Sequence, residues 1–269
     1  MGRLTPWERI LLARHPQRPT FLDFSVELFE NFIELHGDRL FGDDPAIVAG
    51  VGTLEKESVV IIGQEKGKSV QEKMRRNFGM PNPEGYRKAL RVMKIAEKFS
   101  LPVITFIDTS GAYPGIGAEE RGQALAIAQN LKEMSVLKVP IIIVILSEGG
   151  SGGALGIGVG DYIMMLENAY YSVISPEGCA SILFRDASKA PEAAEALKIT
   201  SDDLLKFGLI DEIIPEPNEG AHQDFQGTVD NLRRSLITVL SKLRKKNLNV
   251  LLEERWQRLR SYGRFEEEK

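Results

Sequence analysis

Five short apolar segments rich in β-branched residues recur along the chain, and they constrain its fold more than any other feature. They lie at Val59–Gly63, Val103–Ile107, Ile141–Leu146, Tyr171–Ile174 and Ile210–Ile214. Glycine, proline or polar residues bound each segment, as is typical of buried strands. Helical stretches separate the strands, at Glu84–Phe99, at Glu119–Met134, in a glycine- and alanine-rich stretch from Ser151, and at Ala187–Leu197. This alternation predicts an α/β fold with a parallel sheet.

The segments around this alternating region predict further elements. Ile47–Leu54 is expected to pair with Val59–Gly63 as a hairpin across Glu55–Ser58. Leu22–His36 and Thr228–Arg260 are amphipathic and more strongly charged, which predicts helices that flank the core.

No stretch of the sequence has the composition of a linker, so residues 1–269 are predicted to form one domain. Within it we expect an N-terminal helical segment over about 1–40 and C-terminal docking helices over about 226–262. Asn218–Gln226 is polar and is predicted to be a loop. The strands recur roughly every forty residues, which indicates a repeated supersecondary unit.

Length and composition exclude several classes of protein. With 269 residues, of which 43% are hydrophobic and 27% charged, the chain can bury a full core. The net charge of −4 gives no positive field for a nucleic acid or an anionic membrane. The longest apolar run, Val139–Leu146, has eight residues, whereas a membrane span needs about twenty. Cys179 is the only cysteine, and Met1–Arg14 lacks a signal-peptide pattern, so a cytoplasmic protein is expected.

The most unusual stretch is rich in glycine and directly follows the predicted strand Ile141–Leu146. Seven of the twelve residues from Gly149 to Gly160 are glycine. Glycine in a helix interior costs about 1 kcal/mol relative to alanine, so the cluster should have a compensating use. At Gly152 and Gly153 we expect amides at a helix N-terminus that donate to a substrate oxygen. Close packing of the helix against the sheet accounts for Ala154, Gly156, Gly158 and Gly160.

A second turn with small residues follows the strand Val103–Ile107. It runs from Asp108 to Gly115 and leads into a helix that begins near Ala118. In a parallel sheet the ends of adjacent strands border the ligand crevice, so this turn and the glycine-rich one are expected to face one cleft. An ordinary Gly/Pro β-turn, with Asp108 as its cap, is the alternative.

Two motifs for other chemistries overlap these segments. Gly63–Ser69 resembles a phosphate-binding P-loop, but three residues separate its glycines where the motif needs four. Gly149–Gly153 matches the G-x-S-x-G nucleophile elbow in the required strand–turn–helix context. A serine hydrolase with the triad Ser151, Asp211 and His222 is therefore an alternative from a different class of enzyme. A non-catalytic subunit that serves only assembly is another alternative.

Cys179 has no histidine near it in the sequence, and a small buried residue is its expected role. The remaining pattern is oxyanion stabilisation without an evident side-chain base. Backbone amides suit chemistry on a thioester enolate or a urea-type carbonyl, where negative charge develops on oxygen.

At these same residues the chain resembles the α subunit of the carboxyltransferase in the bacterial and plastid type of acetyl-coenzyme A carboxylase. The resemblance runs from about Leu11 to Gly263. It is carried by five motifs, at Leu12–Thr20, Arg75–Ala89, Thr105–Gln123, Glu148–Asp161 and Tyr171–Phe184. Members of that family have the crotonase fold, a spiral of ββα units, which agrees with the regular recurrence of strands. The resemblance thus implies a crotonase-like α/β fold with flanking helices.

The resemblance also implies an activity and its participants. The reaction transfers a carboxyl group from carboxybiotin, on a separate carrier protein, to acetyl-coenzyme A, and it yields malonyl-coenzyme A for fatty acid biosynthesis. A β subunit in an α2β2 assembly, the biotin carboxyl carrier protein and biotin carboxylase are the implied partners. Zinc would belong to the β subunit alone, in agreement with the single cysteine here. The biotin anion left by loss of carbon dioxide could take the acetyl proton, which would explain the missing base.

The same motifs imply the site residues. Gly152 and Gly153 would hold the ureido oxygen of biotin, Gly111 and Ala112 would line the neighbouring wall of the cleft, and Tyr113 would contribute to the biotin site. The sequence departs from the family pattern at two places. Ser110 stands where proline is usual, and Gln64–Glu65 stands where His-Gln is common.

Overall fold

The computed structural model describes residues 4–263. The strands in this part of the chain are β1 (Glu30–Glu34), β2 (Ile47–Leu54), β3 (Glu57–Gln64), β4 (Val103–Thr109), β5 (Ile141–Gly150), β6 (Tyr162–Leu166), β7 (Tyr170–Ser172) and β8 (Glu212–Ile214). The first six helices are α1 (Pro6–Ala13), α2 (Phe21–Leu28), α3 (Val70–Arg75), α4 (Pro83–Phe99), α5 (Ile116–Glu120) and α6 (Gln123–Ser135). The other six are α7 (Ser151–Leu155), α8 (Pro176–Leu183), α9 (Ala190–Leu197), α10 (Ser201–Lys206), α11 (Phe225–Arg244) and α12 (Leu248–Ser261). Single 3₁₀ turns lie at Asn77–Gly79 and Ala187–Lys189.

The strands form a single sheet within the described residues. Its order is β1-β2-β3-β4-β5-β6-β8, and β7 pairs with the end of β5. Strands β1, β2 and β3 are antiparallel, which confirms the predicted hairpin of Ile47–Leu54. The ladders from β3 to β8 are parallel, which confirms the predicted sheet.

The core lies along the two central strands. Every residue of β4 and β5 is buried. The short helix α7 contacts both strands, while α4 packs on β2, on β3 and on α6. Strands buried in this way are continuous apolar runs rather than alternating ones. The apolar signal in the sequence therefore located β4 and β5 well.

The N-terminal prediction is correct only in part. The amphipathic segment Leu22–His36 was expected to be helical, but the helix ends at Leu28 and Glu30–Glu34 forms the edge strand β1. Asn31 has a positive φ of 52°, and the register of β1 against β2 shifts there. Pairing with β2 outweighs the local helical pattern, since strand pairing depends on residues distant in sequence. The expected helical segment over 1–40 thus contains a strand, and its first three residues lie outside the described part.

Other predicted helices differ from the observed ones in their bounds. Glu119–Met134 was expected to be continuous, but Gly122, with a φ of 81°, separates α5 from α6. The helices predicted over Thr228–Arg260 are α11 and α12, and α11 begins at Phe225, inside the predicted loop. Four elements were not predicted at all, the strand Tyr162–Leu166 and the helices Val70–Arg75, Pro176–Leu183 and Ser201–Lys206.

The last helix, α12, carries a buried arginine that bonds to the segments next to β5. Arg255 has no exposed side-chain surface and donates two hydrogen bonds to the Asp161 carboxylate, at 2.8 and 2.7 Å. It also donates to the carbonyls of Met134, Leu137 and Val139. Within residues 4–263, no helix has both the length and the apolar character that a membrane crossing needs.

Candidate active site

The two turns singled out from the sequence lie side by side at one edge of the sheet. β4 and β5 are parallel neighbours, and Thr109 at the end of β4 stands opposite Gly149 at the end of β5. The carboxyl ends of parallel strands are where α/β proteins bind ligands. The structure therefore brings together the glycine-rich turn and the turn after Asp108, as expected.

Contact between the two turns is backbone against backbone. A β-carbon built on Gly153 would lie 2.5 Å from the amide nitrogen of Ala112 and 2.7 Å from the carbonyl oxygen of Gly111. One on Gly150 would overlap the Ser110 carbonyl group. Backbone atoms cannot move aside as a flexible side chain can, so only glycine allows this approach.

The glycine-rich turn starts the short helix α7. Ser151 has a φ of 49°, an uncommon value for a residue with a β-carbon, and the chain turns sharply there from β5 into α7. Gly152 and Gly153 fall in the first helical turn, whose amides have no partner within the helix. Space beside Gly152 is open, since a β-carbon there would meet only Ile127, at 3.7 Å. These two amides can donate to an external oxygen.

Two backbone amides of the second turn are already bonded. Gly111 donates its amide to the hydroxyl of Thr109 at 3.1 Å, and Tyr113 donates its amide to the carbonyl of Pro81 at 3.0 Å. Among residues 4–263, the amide of Ala112 has no hydrogen-bond acceptor. Of the two residues expected to line the cleft, Ala112 can therefore donate its amide, whereas Gly111 contributes only to the wall. The half-buried Tyr113 lies in the same turn, with its ring against Gly115.

A charged cluster at the same strand ends was not predicted. The ammonium group of Lys66 lies 2.7 Å from Asp108 and 2.5 Å from Glu148. Asp108 also accepts the amide of Glu148 at 3.2 Å, so it bridges β4 and β5 and does not simply cap its own turn. Burial alone would raise the pKa of Glu148. The attraction of Lys66 outweighs burial and lowers this pKa to about 2. For Asp108, burial outweighs Lys66 and raises the pKa.

The cluster continues outward from Glu148. The second oxygen of this carboxylate accepts from Arg14 at 2.9 Å and from the hydroxyl of Tyr170. Together with Lys66 and Ser110, Arg14 lines a cavity of about 550 Å³ beside the two turns. The signal for this cluster in the sequence was charge, at Asp108 and Glu148, directly after apolar runs.

The alternative hydrolase triad is not assembled. Asp211 accepts the amide of Ile163, near the start of β6, and is paired with Arg258. Ser151 follows the far end of β5 and is eight residues along from Ile143, the partner of Ile163, or roughly 25 Å away. His222 stacks on His15, with ring centroids 4.1 Å apart. The proposed acid therefore cannot orient a base for Ser151.

Two further expectations concern cysteine and metal. Cys179 is buried on α8 beside Ala180 and Ala193, which confirms its expected packing role. Residues 4–263 hold no group of three or more His, Cys, Asp or Glu side chains arranged to bind a metal ion.

Comparison with known proteins gives the family. The model of the family described as "Acetyl co-enzyme A carboxylase carboxyltransferase-like" matches residues 1–263. The acetyl-coenzyme A carboxylase carboxyl transferase subunit alpha of Thermus thermophilus is 56% identical over 264 residues, which are 98% of this chain and 85% of that protein. The protein of the same name from Vibrio vulnificus is 59% identical over 260 residues, covering 97% and 82% of the two chains.

Solved structures share the fold at low sequence identity. A transcarboxylase 12S structure with methylmalonyl-coenzyme A superposes with a TM-score of 0.70 at 19% identity, over 87% of this chain and 44% of that longer one. A Pseudomonas malonate decarboxylase hetero-tetramer in complex with coenzyme A superposes with a TM-score of 0.65 at 14% identity. The match covers 82% of this chain and 89% of that one. The expected crotonase-like fold is thereby confirmed. With the family model matching nearly its whole length, the chain belongs to the acetyl-coenzyme A carboxylase carboxyltransferase family.

Proposed function

We propose that this chain is the α component of a carboxyltransferase that moves a carboxyl group from carboxybiotin to acetyl-coenzyme A and forms malonyl-coenzyme A. Carboxyl transfer to acetyl-coenzyme A is the activity of the family to which the chain belongs. The observation that carries the assignment of the site is the pair of first-turn amides, at Gly152 and Gly153, set against the Ala112 turn at the carboxyl edge of the sheet.

In this proposal the backbone stabilises negative charge on the ureido oxygen of biotin. The amides of Gly152 and Gly153 donate to that oxygen, and fixed donors of this kind require no rearrangement during the reaction. When bound, the carboxybiotin of the carrier protein would supply the carboxyl group and the base that takes the acetyl proton. The open space beside Gly152 leaves room for the ureido oxygen.

The second turn forms the opposite wall of the proposed cleft. Gly111 contributes the peptide on which Gly153 packs, and Ala112 contributes an amide with no other acceptor in the described part of the chain. We assign Tyr113 to the biotin side of this wall. Its amide and carbonyl are held by Pro81 and Gln123, at 3.0 and 2.9 Å, so its backbone position is fixed.

The proposal includes partners that supply what this chain lacks. We propose a β subunit that brings zinc and most of the coenzyme A site in an α2β2 assembly, with the biotin on a carrier protein charged by biotin carboxylase, in the cytoplasm. The curated relatives are named as α subunits. An α subunit alone is then expected to fold but to have negligible activity.

Reconstitution with the β subunit encoded by the same genome tests the function. The readout is malonyl-coenzyme A decarboxylation in the presence of biotin, which should appear only with both subunits and saturate as the β subunit is added. Full activity of the α chain without a partner would contradict the proposal.

Gly152→Val tests the site within that complex. A β-carbon on Gly152 has open space around it, so the variant should fold. The branched side chain of valine should obstruct the approach of an oxygen to the amides. Loss of one such donor lowers the rate on the order of a hundredfold. We expect Gly152→Val to lower the rate by at least this factor. Gly42→Val is the matched control, because a β-carbon on Gly42 has no neighbour within 4 Å and Gly42 lies in the loop between β1 and β2. Parental turnover by a correctly assembled Gly152→Val complex would make Gly152 a packing residue.

A further inference from the structure

One buried side chain contacts both turns of the proposed site. Gln64 is the last residue of β3 and has no exposed surface. Its amide nitrogen donates to the carbonyl of Gly153 at 2.8 Å, and its amide oxygen accepts the backbone amide of Asp108 at 3.1 Å. Asp108 directly precedes the turn that contains Gly111 and Ala112, so the side chain of Gln64 connects the two walls of the cleft.

The Gly153 carbonyl is held from outside its own helix. In a regular α-helix it would accept the amide of Ile157, but Ile157 donates to Ala154 instead, at 3.3 Å. The hydroxyl of Tyr86 is a second external donor to the Gly153 carbonyl, at 3.2 Å. The orientation of this peptide therefore depends on side chains that come from β3 and α4, not on helix geometry.

The strands β4 and β5 bring the two turns side by side, since they are paired as far as Thr109 and Gly149 and are bridged there by Asp108 and Lys66. Beyond the strand ends the turns touch through backbone contact at glycines, which excludes larger residues but does not pull the turns together. Gln64 adds a hydrogen bond to each side. We propose that Gln64 is a positioning residue, which sets the distance between the amides of Gly152 and Gly153 and the wall at Ala112. This inference rests on the proposed function of those amides.

The chemistry of the bridge needs a side chain that donates at one end and accepts at the other. A carboxamide does both, and so does a neutral imidazole, whereas an ionised carboxylate accepts only. A thioether such as Met matches glutamine in length but can replace neither bond.

The test compares four variants in the assembled complex with the β subunit. They are Gln64→Met, Gln64→His, Gln64→Glu and, as the matched control, Thr105→Val. Thr105 lies on β4, is fully buried and donates to the Ile157 carbonyl at 2.9 Å, so its loss removes a comparable buried bond away from the turns. For each complex, kcat, KM for malonyl-coenzyme A and Tm are measured from pH 6 to pH 8.

We expect Gln64→Met to lower kcat by tenfold to about a hundredfold, because misplaced donors act mainly in the transition state. KM should change less than threefold. Gln64→His should restore at least a third of the parental kcat. The deficit of Gln64→Glu should shrink as the pH falls, since a protonated carboxyl regains a donor for Gly153 while its other oxygen accepts from Asp108. Thr105→Val should lower Tm with little change in kcat.

Parental kcat in Gln64→Met, or a loss of the same size in Thr105→Val, would overturn the inference. If Gln64→Met does not assemble, Gln64→His and Gln64→Glu test the inference instead. A pH profile of kcat for Gln64→Glu that runs parallel to the parental profile would also overturn the inference. A parental complex without any carboxyl transfer refutes the proposed function itself, and that result differs from an active parent with an equally active Gln64→Met.

Discussion

The α-carbon of Gly153 faces the amide nitrogen of Ala112 so closely that a β-carbon at residue 153 would lie only 2.5 Å from that nitrogen. At this contact the turns that follow β4 and β5 meet, and the proposed cleft lies between them. The contact also explains the cost of glycine here, since alanine would favour the helix but separate the two walls.

Gly153→Ala is therefore expected to destabilise the protein. Forced overpacking costs roughly 1–3 kcal/mol, and thermal unfolding should detect this as a fall in Tm of several degrees. Gly111→Ala is the comparison, because a β-carbon on Gly111 has no neighbour within 4 Å. Its Tm should stay within about 2 °C of the parent. Equal melting of Gly153→Ala and the parent would show that the two turns can separate freely.

The turns were predictable, and the contacts that hold them were not. Buried apolar runs and glycines are local signals, so β4, β5 and the Gly152–Gly153 turn were located from the sequence alone. Gln64 and Lys66 act through partners more than forty residues away. Their function follows from the parallel pairing of β3, β4 and β5, which no local pattern encodes.

The errors in the fold have a similar origin. The edge strand Glu30–Glu34 is largely exposed and forms only because β2 offers unpaired backbone groups. Local composition there is amphipathic, which favoured a helix. The break at Gly122 was visible as a glycine, but a single glycine inside a helical pattern is often tolerated.

Ser151 separates the two enzyme classes by experiment. Because Asp211 lies near the opposite end of the sheet, we expect Ser151→Ala and His222→Ala each to keep carboxyl transfer within about threefold of the parent. A catalytic triad loses several orders of magnitude when either of these groups is removed. Covalent labelling of Ser151 by an active-site fluorophosphonate would contradict this expectation.

Stability should depend on pH through Glu148. Its pKa of about 2 in the folded chain compares with about 4.3 in an unfolded one. The folded state thus favours the ionised form, which contributes about 3 kcal/mol above pH 4.3, and this is lost as the pH falls through 2. Urea unfolding should show Glu148→Gln less stable than the parent at pH 7, with a difference that shrinks toward pH 3.

The comparison between variant and parent also includes a change at the neighbouring Asp108. Burial and, in part, the charge of Glu148 raise the pKa of Asp108, so its contribution to stability has the opposite sign and is smaller in Glu148→Gln. Glu195→Gln is the control, since Glu195 forms an exposed pair with Lys198 and such pairs contribute about 0–1 kcal/mol. A constant difference between Glu148→Gln and the parent across this range would exclude the ionisation of Glu148 as the cause.

The attachment of α12 should depend on Arg255. Arg255→Met would leave the buried carboxylate of Asp161 without its cation and three carbonyls without their donor. Removing one partner of a buried ion pair costs about 3–5 kcal/mol. Denaturant unfolding should therefore show a loss of this size, because the pair joins the last helix to the start of β5 and to the segment before it.

Two further variants separate the ion pair from the helix that carries it. Arg260→Met changes an exposed arginine on the same helix and should cost less than about 1 kcal/mol. Arg255→Met combined with Asp161→Asn removes both charges, so part of the loss should be recovered, since an uncompensated buried charge is what makes the single change costly. If the double variant is no more stable than Arg255→Met, the arginine stabilises α12 through the three carbonyls, and its pairing with Asp161 contributes little.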